Sequence, residues 1–423
     1  MDEIQLDSQQ QQAFENIKKW YDSDKQYFYL AGWAGTGKTS AARVMAQQLV
    51  GLDQTIFAAY TGKASLRLRE CGCAGASTMH SFMYHSRSNS ESTVKELREE
   101  LSQLLVELRS EGEISDAYID EHPEVQRLQG MIFEEEKNLR RPVFVLNSAS
   151  IVGELPLSIL DEVSMVNEQM GQDWLSFGRK VLVLGDPFQL PPVFGEGYFT
   201  KQQPNFMLTK IHRQAAGNPI IKLATQIRNM EMPAEGRYGT TRVVRRSKLS
   251  KEQMRELVLA SDQLIVGKND TRHEFNNRIR VLRGFKGRYP VAGETVVCLR
   301  NNHEKGLLNG ALYEVVRQVE VFEDIERIDL VIRPQGGGQE IEVHSHTHHF
   351  QGKEDILKKM WFQKSEAEEF DYGYALTCHK TQGSQFRNPV IFDQSYIARD
   401  KRWQWLYTAV TRAVEGFTLV LNG

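Results

Sequence analysis

Hydrophobic positions near the N-terminus switch between helical and strand periodicity. A helical pattern covers residues 8–21, and a short apolar strand follows at 27–31. A second helix runs over 38–50 and ends at Gly51, a residue that suits a helix C-terminus. Another apolar strand, 55–59, comes directly afterwards. Strands and helices that alternate over short connections are typical of a parallel sheet, so the chain is predicted to begin as an α/β domain.

Two later segments, 157–160 and 181–184, are almost continuously apolar. Such strands are typical of the middle of a parallel sheet that is covered on both faces. The C-terminal part returns to the α/β pattern, with strands near 374–376 and 390–392. A chain of 423 residues is longer than a single hydrophobic core usually organises, so we expect two large α/β domains.

Two stretches break the α/β pattern. Residues 91–140 are helical and rich in acidic side chains, and predict an inserted, solvated helical arm with one apolar face. Residues 290–350 are rich in Val, Thr and Ile with glycine turns, and predict a small β-barrel. The predicted division is a first domain at 1–83 and 141–202, a helical arm at 84–140, a second domain at 203–284 and 371–423, and a β-barrel at 285–370.

A β-hairpin is predicted next to the arm, at about 142–154. Apolar segments at 143–146 and 150–152 flank residues 147–149, which form a plausible turn. The hairpin is expected to pair with 82–85. An ordinary edge strand explains the same pattern equally well.

Composition favours a globular protein in a reducing compartment. Hydrophobic residues make up 40% and charged residues 25% of the chain, as in ordinary globular domains. The net charge of −3 lacks the positive excess of proteins that coat nucleic acid, so such contact would need local patches. The four cysteines lack zinc-site spacing, and neither a signal peptide nor a membrane span is predicted. We therefore expect a cytoplasmic protein.

The strongest chemical signal is the segment GWAGTGKT at 32–39, between a predicted strand and a predicted helix. It matches the phosphate loop GxxxxGK[ST] in the context that the motif requires. The backbone amides of such a loop and the helix N-terminus bind phosphates. Lys38 is predicted to reach the β and γ phosphates, and the Thr39 hydroxyl to bind Mg²⁺. The predicted nucleotide-binding residues of the loop are Gly35, Thr36, Gly37, Lys38 and Thr39.

A phosphate loop that hydrolyses ATP needs acidic residues at the end of a neighbouring strand. Asp161 and Glu162 directly follow the apolar strand 157–160. Asp161 is predicted to hold Mg²⁺, and Glu162 to orient and deprotonate the attacking water. Acidic pairs are common on protein surfaces, but the buried strand and the phosphate loop make this pair specific. ATP and Mg²⁺ are therefore the predicted cofactors.

Seven further segments follow one another in an order that is typical of one enzyme family. They are LxxxQxxA at 6–13 (motif Q), AAYTGKAS at 58–65 (motif Ia), ASTMHS at 76–81, GDPFQLPP at 185–192 (motif III), LTKIHRQ at 208–214 (motif IV), TCHKTQGS at 377–384 (motif V) and LYTAVTRA at 406–413 (motif VI). With the phosphate loop, this set resembles superfamily 1B DNA helicases of the RecD-like and phage Dda type. The resemblance spans nearly the whole chain and is weakest at 84–150 and 285–370.

This resemblance implies a fold and a set of nucleotide contacts. The fold would be two RecA-like parallel-sheet domains, with an SH3-like form for the inserted β-barrel. Gln10 would read the adenine edge, and Gln189 would sense the γ-phosphate. Arg213 and Arg412 would act as arginine fingers from the second domain, where such residues stabilise charge on the transferred phosphoryl group. Gly383 would lie near the nucleotide cleft.

The same resemblance implies contacts with DNA and an activity. Hydroxyls, amides and lysines of motifs Ia and V would hold the DNA backbone without reading its sequence. The candidate DNA contacts are Thr61, Lys63, Thr78, His80, Asn269, Arg272, His379, Lys380 and Thr381. The predicted hairpin would act as the pin that splits the duplex, where Phe144 could stack on a base.

The implied activity is an ATP-dependent 5′ to 3′ DNA helicase in replication, recombination or repair. Its substrates would be single-stranded DNA and forked or partial duplexes, with a single-strand binding protein or a replisome component as a possible partner. The chain would act as a monomer in a bacterial or phage-infected cell. The alternative is a translocase that displaces proteins or remodels forks with little unwinding. A binding module without enzymatic activity is disfavoured, since every catalytic residue of the motifs is present.

Two other patterns have bland interpretations. The many arginines and lysines of 237–288 could bind a DNA backbone, but most are expected to be solvated helix surface. His344, His346 and His348 would share one face of a strand, with His349 beside them, which makes a metal site conceivable. Zinc sites usually have clearer ligand spacing, so a polar β-surface is the favoured interpretation.

Overall fold

The computed structural model describes residues 5–86, 90–110, 122–139, 144–192, 195–211, 217–302, 305–353 and 367–422. The helices are α1 (Ser8–Tyr21), α2 (Lys38–Leu49), α3 (Gly62–Glu70), α4 (Met79–Met83), α5 (Ser90–Ser110), α6 (Pro123–Leu139), α7 (Glu168–Leu175), α8 (Pro219–Arg228), α9 (Lys251–Ala260), α10 (Asn269–Leu282) and α11 (Arg402–Val410). The strands are β1 (Tyr27–Gly32), β2 (Thr55–Ala59), β3 (Ser77–Thr78), β4 (Tyr84–Ser86), β5 (Phe144–Leu146), β6 (Leu157–Asp161), β7 (Lys180–Gly185), β8 (Phe206–Leu208), β9 (Gly236–Tyr238), β10 (Thr241–Arg245), β11 (Leu264–Val266), β12 (Thr295–Cys298), β13 (Leu312–Phe322), β14 (Arg327–Pro334), β15 (Ile341–His346), β16 (Phe370–Tyr372), β17 (Ala375–Thr377), β18 (Val390–Phe392) and β19 (Thr418–Leu421).

The first sheet has six parallel strands in the order β3-β2-β6-β7-β1-β8. Successive residues of β1 pack on opposite faces. Phe28 and Leu30 join the hydrophobic cluster that includes α1 and α2, whereas Tyr29 and Ala31 join the one that includes α4 and α7. Both faces are therefore covered, which explains why strands such as β2 and β6 are apolar at nearly every position.

Helix α1 begins with a capping box. The Asp7 side chain accepts from the backbone N–H groups of Gln9 and Gln10, while the Gln10 side chain accepts from the backbone N–H of Asp7. These bonds satisfy donors that a helix start otherwise leaves unpaired. Ile17 and Trp20, one helical turn apart, bury the inner face of α1 against the first sheet.

The second sheet repeats this architecture. Its order is β17-β11-β18-β19-β10-β9, parallel except for the antiparallel pair of β9 and β10. One face packs on α8 and α11, with Trp405 fully buried. The prediction of two parallel-sheet, RecA-like α/β units is thereby confirmed.

The third sheet confirms that the insertion into the second unit is β-rich. Its five strands are antiparallel in the order β15-β14-β13-β12-β16. Val296 and Tyr313 of this sheet share one hydrophobic cluster with Leu264 and Val266 of the second sheet. The insertion is thus packed onto the second sheet through a continuous core. Closure into an SH3-like barrel remains a prediction.

The prediction that residues 142–154 form a hairpin by themselves is wrong. β5 pairs with β4 instead, with Tyr84 opposite Leu146, in agreement with the expected pairing with 82–85. Residues Ile151–Gly153, expected to be the returning strand, form a 3-10 helix that is capped by the Ser150 hydroxyl and buries Val152 in the core of the first unit. Because the Val152 side chain is buried in that core, this segment cannot form a strand on the protein surface. Phe144 keeps its place in a strand.

Helices α5 and α6 form the predicted arm. Leu108 and Val125 are buried between them, with Leu101, Leu104 and Leu105 packed alongside. This is the single apolar face that the leucine spacing predicts. No helix in the described residues is long and apolar enough to cross a membrane.

Candidate functional site

The loop after β1 is shaped by glycines. Gly35 and Gly37 adopt φ values of 82° and 69°, which side chains with a Cβ rarely tolerate. At Gly32, an added Cβ would lie 2.7 Å from Thr36 Oγ1 and 2.9 Å from Leu208 Cβ. The backbone can therefore curl tightly before α2 begins at Lys38, as a phosphate-binding loop requires.

The Lys38 ammonium is anchored on the same loop. Its Nζ donates to the carbonyl oxygens of Gly32 at 2.7 Å and Trp33 at 3.1 Å. The positive charge is thus held over the loop whose amides would receive phosphates, the position expected for this lysine.

Thr39 and Asp161 meet as the sequence predicts. The Thr39 hydroxyl donates to Asp161 Oδ2 at 2.6 Å. Burial, followed by the neighbouring carboxylate of Glu162, raises the pKa of Asp161 above its usual range. A buried carboxylate beside a hydroxyl offers the hard oxygen ligands that Mg²⁺ prefers, and a cation would relieve the repulsion between the two acids. These residues therefore fit a magnesium ion.

Glu162 has an uncommon backbone conformation. Its φ and ψ are 54° and 44°, the left-handed region that non-glycine residues seldom occupy. Its backbone N–H donates to Asp161 Oδ1 at 2.8 Å, which helps to hold this conformation. Backbone strain of this kind, about 1–3 kcal/mol, clusters at active sites. It directs two successive acidic residues to different tasks at one strand end.

Gln189 joins the two α/β units at the site. With the amide oriented so that its nitrogen faces the carboxylate, as its neighbours require, the nitrogen lies 3.0 Å from Glu162 Oε2 and the oxygen lies 3.3 Å from Arg412 Nη2. Gln189 follows β7 of the first sheet, whereas Arg412 directly follows α11 on the second. A single buried amide therefore connects the predicted general base to an arginine of the other unit.

Arg412 is almost fully buried. Its Nε donates to Thr408 O at 3.1 Å, and its Nη2 donates to the Thr411 hydroxyl at 3.3 Å. Together with a longer bond from Nη1 to Ser384 O at 3.5 Å, these bonds hold the guanidinium group in one orientation just beyond the end of α11.

Two hydroxyls that were not predicted as site residues join the units beside Arg412. The Tyr407 hydroxyl donates to Asp186 Oδ2 at 2.6 Å and accepts from the Ala34 N–H of the phosphate loop at 3.0 Å. The Thr408 hydroxyl accepts from the Leu190 N–H at 2.9 Å. Both residues lie in motif VI, so their closeness to Arg412 in the sequence could have indicated a role at the site.

Motif V contributes a further link. The Gln382 side chain donates to Leu190 O at 2.7 Å. Both backbone polar groups of Leu190, in the loop after β7, are therefore hydrogen-bonded to the second unit. Gly383 lies against motif Ia, since an added Cβ would be 2.4 Å from Thr61 Oγ1. Gly383 thus belongs to the cleft, as predicted.

A small cleft opens beside the acidic pair. Its lining is Thr39, Ala64, Arg67, Leu68, Asp161, Glu162 and Gly383. Arg67 was not predicted to take part. It projects from α3, one helical turn after Lys63, and places a positive charge near the two carboxylates.

Gln10 lies at the phosphate loop but is engaged within the protein. Its Nε2 donates to Thr36 O at 3.1 Å, and its Oε1 accepts from the Asp7 N–H at 3.1 Å. To read an adenine with both ends of its amide, as predicted, Gln10 would have to exchange these bonds. The neighbouring Gln9 ties α1 to Thr209 of motif IV. Arg213 lies outside the described residues.

Three predicted DNA contacts are structural instead. Arg272 is 1% exposed and forms a buried ion pair with Asp371. Thr78 is 0% exposed and caps α4 by accepting from the Ser81 N–H at 3.2 Å. Thr381 is also 0% exposed, and its hydroxyl donates to Cys378 O at 2.7 Å. In this structure none of the three side chains can reach a ligand, because each one satisfies a buried partner.

The remaining predicted contacts near motif Ia are partly buried. The Thr61 hydroxyl caps α3. The Lys63 ammonium lies 4.7 Å from the centre of the Phe386 ring of the second unit, and burial lowers its pKa. His80 packs between Tyr60 and Tyr84, and burial lowers its pKa as well, which favours a neutral imidazole.

The predicted contacts on the second unit lie at one edge of its sheet. Asn269, at the start of α10, and Lys380 are exposed. His379 is half-buried, and burial together with the charge of Lys401 lowers its pKa. Three of the four histidines at the end of the third sheet contact carboxylates instead: His344 Nδ1 lies 2.9 Å from Asp329 Oδ1, His348 pairs with Glu326, and His349 Nε2 lies 3.1 Å from Glu369 Oε2. The described residues contain no cluster of three metal ligands.

Two family models match the chain. The model described as an AAA domain matches residues 5–248, and a UvrD-like helicase C-terminal domain matches 372–420. The first covers more than half of the chain, which has 423 residues. The first match covers the first α/β unit and the beginning of the second, and the other match lies at the C-terminal end of the second unit. Together they confirm the resemblance to superfamily 1B helicases.

Individual relatives are more distant. An ATP-dependent RecD2 DNA helicase from Deinococcus radiodurans is 27% identical over 287 residues, which are 62% of this chain and 36% of that protein. The chain thus spans about a third (36%) of the length of this relative. Among solved structures, the Pif1 helicase from Candida albicans has a TM-score of 0.51 at 16% identity and covers 99% of this chain, which covers 94% of that one. The Pif1 helicase from Bacteroides in complex with ADP-AlF3 and ssDNA has a TM-score of 0.51 at 17% identity, with 99% and 92% covered. At these identities the likeness shows the fold.

Proposed function

Because the chain belongs to the AAA-domain family and carries a UvrD-like helicase C-terminal domain, we propose that it is an ATP-dependent DNA helicase. We propose further that it moves 5′ to 3′ along single-stranded DNA and separates duplex DNA. The bridge from Glu162 through Gln189 to Arg412 supports this proposal most directly. A change of charge at Glu162 would alter the bond network that joins the two units, so hydrolysis and their relative movement would be coupled.

The residues around the phosphate loop support ATP hydrolysis. Lys38 would bind the β and γ phosphates, and Thr39 with Asp161 would hold Mg²⁺, which supplies charge neutralisation when bound. Glu162 would accept the proton of the attacking water, a role for which a carboxylate beside the buried Asp161 is suited. Gln189 would orient that water or the γ-phosphate through the face of its amide that Glu162 does not use.

Arginines from the second unit would stabilise the transferred phosphoryl group. Arg412 Nη2 lies 3.3 Å from the Gln189 amide, so its guanidinium is already at the cleft in which the phosphates would bind. Arg213 is proposed for the same task on its motif alone. Arg67, on the rim of the cleft, adds a third positive charge close to the carboxylates.

The nucleic-acid part of the proposal rests on motifs and on relatives. The curated relative is an ATP-dependent DNA helicase, and one structural neighbour is a complex with ssDNA. The proposed substrates are single-stranded and forked DNA, contacted by motif Ia and by the sheet edge that carries His379 and Lys380. A monomer that acts in the cytoplasm of a bacterial or phage-infected cell, with a single-strand binding protein or replisome component as partner, completes the proposal.

The alternative is a translocase with little unwinding. The β4–β5 ribbon favours the helicase, because it supplies two paired strands between motif Ia and the Asp161–Glu162 pair, where a pin could split a duplex. The same ribbon could also serve as an ordinary edge of the first unit.

Strand separation on two partial duplexes tests the proposal. One substrate has a 5′ single-stranded tail and the other a 3′ tail, and both are assayed with ATP and Mg²⁺ beside a Lys38→Ala variant. The proposal expects separation of the 5′-tailed substrate alone, and none by the variant. Separation of the 3′-tailed substrate alone would reject the polarity. Hydrolysis that single-stranded DNA stimulates, without separation of either substrate, would favour the translocase.

A further inference from the structure

Three loops of the second unit lie side by side. Strands β17, β11 and β18 are neighbours and run parallel, so the loops at their carboxyl ends emerge at one edge of the sheet. These loops begin at Cys378, Gly267 and Asp393. The first carries His379 and Lys380, which motif V predicts to contact DNA. The third, which contains Tyr396, belongs to none of the motifs.

Gln394 joins the second and third loops. Its Oε1 accepts from the N–H groups of Gly267 at 2.7 Å and Lys268 at 3.2 Å, and its Nε2 donates to the Thr271 hydroxyl at 2.9 Å. An added Cβ at Gly267 would lie 2.6 Å from Ile397 Cδ1, so the loops touch without room for a side chain there. The two loops therefore form one rigid surface.

Tyr396 stands out on that surface. It is 55% exposed, and it is the only exposed Phe, Trp or Tyr among the side chains whose burial is described. The Lys268 ammonium lies 5.3 Å from the centre of its ring. Lys401 is near enough to His379 to lower the pKa of that histidine, so positive charge extends from this loop to motif V. An exposed ring among cations, beside a predicted DNA contact, suits a strand of stacked bases and phosphates.

We propose that Tyr396 is a base-stacking residue for single-stranded DNA and that Lys268 neutralises an adjacent phosphate. The inference rests on the proposed function and extends it to a loop outside the helicase motifs. Every base offers a flat π-face, so this contact would hold the strand without preference for sequence. It would also give the second unit a grip on bases, in addition to the backbone contacts expected of motif V.

Binding of two strands of equal length separates stacking from charge. One strand is oligo-dT, and the other is the same phosphodiester backbone with abasic sites, each measured by fluorescence anisotropy. Tyr396→Ala is expected to weaken binding of oligo-dT about tenfold and to leave the abasic strand unchanged. Tyr396→Phe should keep the affinity of the wild type. Val281→Ala, which trims an exposed side chain at the far end of α10, is the matched control.

Lys268→Ala gives the complementary result. It should weaken both strands alike and lower the slope of log affinity against log salt by about one. The inference is overturned if Tyr396→Ala weakens both strands equally or neither, provided that wild-type protein binds oligo-dT. If the wild type binds neither strand, the proposed function itself fails, and the inference falls with it.

Discussion

The nucleotide cleft and the predicted DNA-contact residues differ in how directly sequence motifs translate into side-chain roles. At the cleft, Thr39, Asp161, Glu162 and Gln189 are linked by hydrogen bonds, and Lys38 is bonded to the phosphate loop beside them. Phosphoryl transfer needs particular atoms at particular points, so a motif residue there is tied to one chemical task.

Several side chains that were predicted to contact DNA have structural roles. Thr78, Thr381 and Arg272 serve as a helix cap, a turn bond and a buried ion pair. A DNA backbone can be held by amides and by exposed cations, so a motif can shape a loop while its most prominent side chain points inward. The comparison teaches that a motif assigns a segment to DNA more safely than it assigns a residue.

The largest effect expected at the cleft is the loss of the general base. Glu162→Gln should lower kcat for ATP hydrolysis by about 10²- to 10⁴-fold, because the amide cannot accept the proton of the attacking water. ATP binding should persist, since Lys38 and the loop amides are untouched. Steady-state kinetics and nucleotide binding by calorimetry measure the two effects. Glu168→Gln, at the exposed start of α7, is the matched control, and equal losses in both variants would contradict the assignment.

Arg272 tests the other side of the comparison. Arg272→Met leaves the buried Asp371 carboxylate without its partner and should reduce the free energy of unfolding by about 3–5 kcal/mol. Denaturant titration measures this loss. Arg278→Met, at an exposed position of the same helix, should change stability little. If Arg272→Met kept the stability of the wild type but lost DNA affinity, the motif-based prediction would be right after all.

The charged form of Asp161, which the proposed function needs, is expected to lower the stability of the folded protein. The folded-state pKa of this residue is raised, so the charged form is destabilised by burial and by Glu162. Stability linked to this group is complete below its unfolded pKa and is lost as pH rises through the folded pKa. Asp161→Asn removes that loss and should raise the free energy of unfolding at neutral pH by up to about 2 kcal/mol while abolishing ATP hydrolysis.

The gain in Asp161→Asn over the wild type should shrink as pH falls from about 7 to about 4, because the raised pKa makes the wild-type carboxyl take up its proton at a higher pH than an ordinary aspartate. Thermal melts over this range, without Mg²⁺, provide the measurement. A variant that is less stable than the wild type at neutral pH would contradict the raised pKa.

The smallest effect belongs to a helix cap. Thr78→Ala removes the acceptor for the Ser81 N–H and should reduce the free energy of unfolding by about 1 kcal/mol. Thr78→Ser keeps a hydroxyl acceptor and should retain most of the wild-type stability. The affinity of the folded protein for single-stranded DNA should not change. A loss of affinity in Thr78→Ala without a change in stability would return Thr78 to the set of DNA contacts.

The sequence by itself determined the two parallel sheets, the helical arm and the identity of the nucleotide site. Continuous apolar strands and a phosphate loop are local signals, since buried strands must be apolar and phosphate binding needs glycines in a short segment. Asp161 and Glu162 were found for the same reason, because parallel topology brings strand ends to one edge. The 3-10 helix Ile151–Gly153 was missed, since the burial of Val152 depends on core residues that lie far away in sequence.

Only the tertiary structure decided which polar side chains are free to bind. Gln189 meets Arg412, Tyr407 reaches Asp186 and Arg272 is paired with Asp371, in each case across at least 99 residues of chain. A sequence pattern shows that a residue is polar and where its element lies. Whether that residue faces a ligand or a buried partner depends on the packing of distant elements, since each buried charge or hydrogen-bonding group must find its partner there.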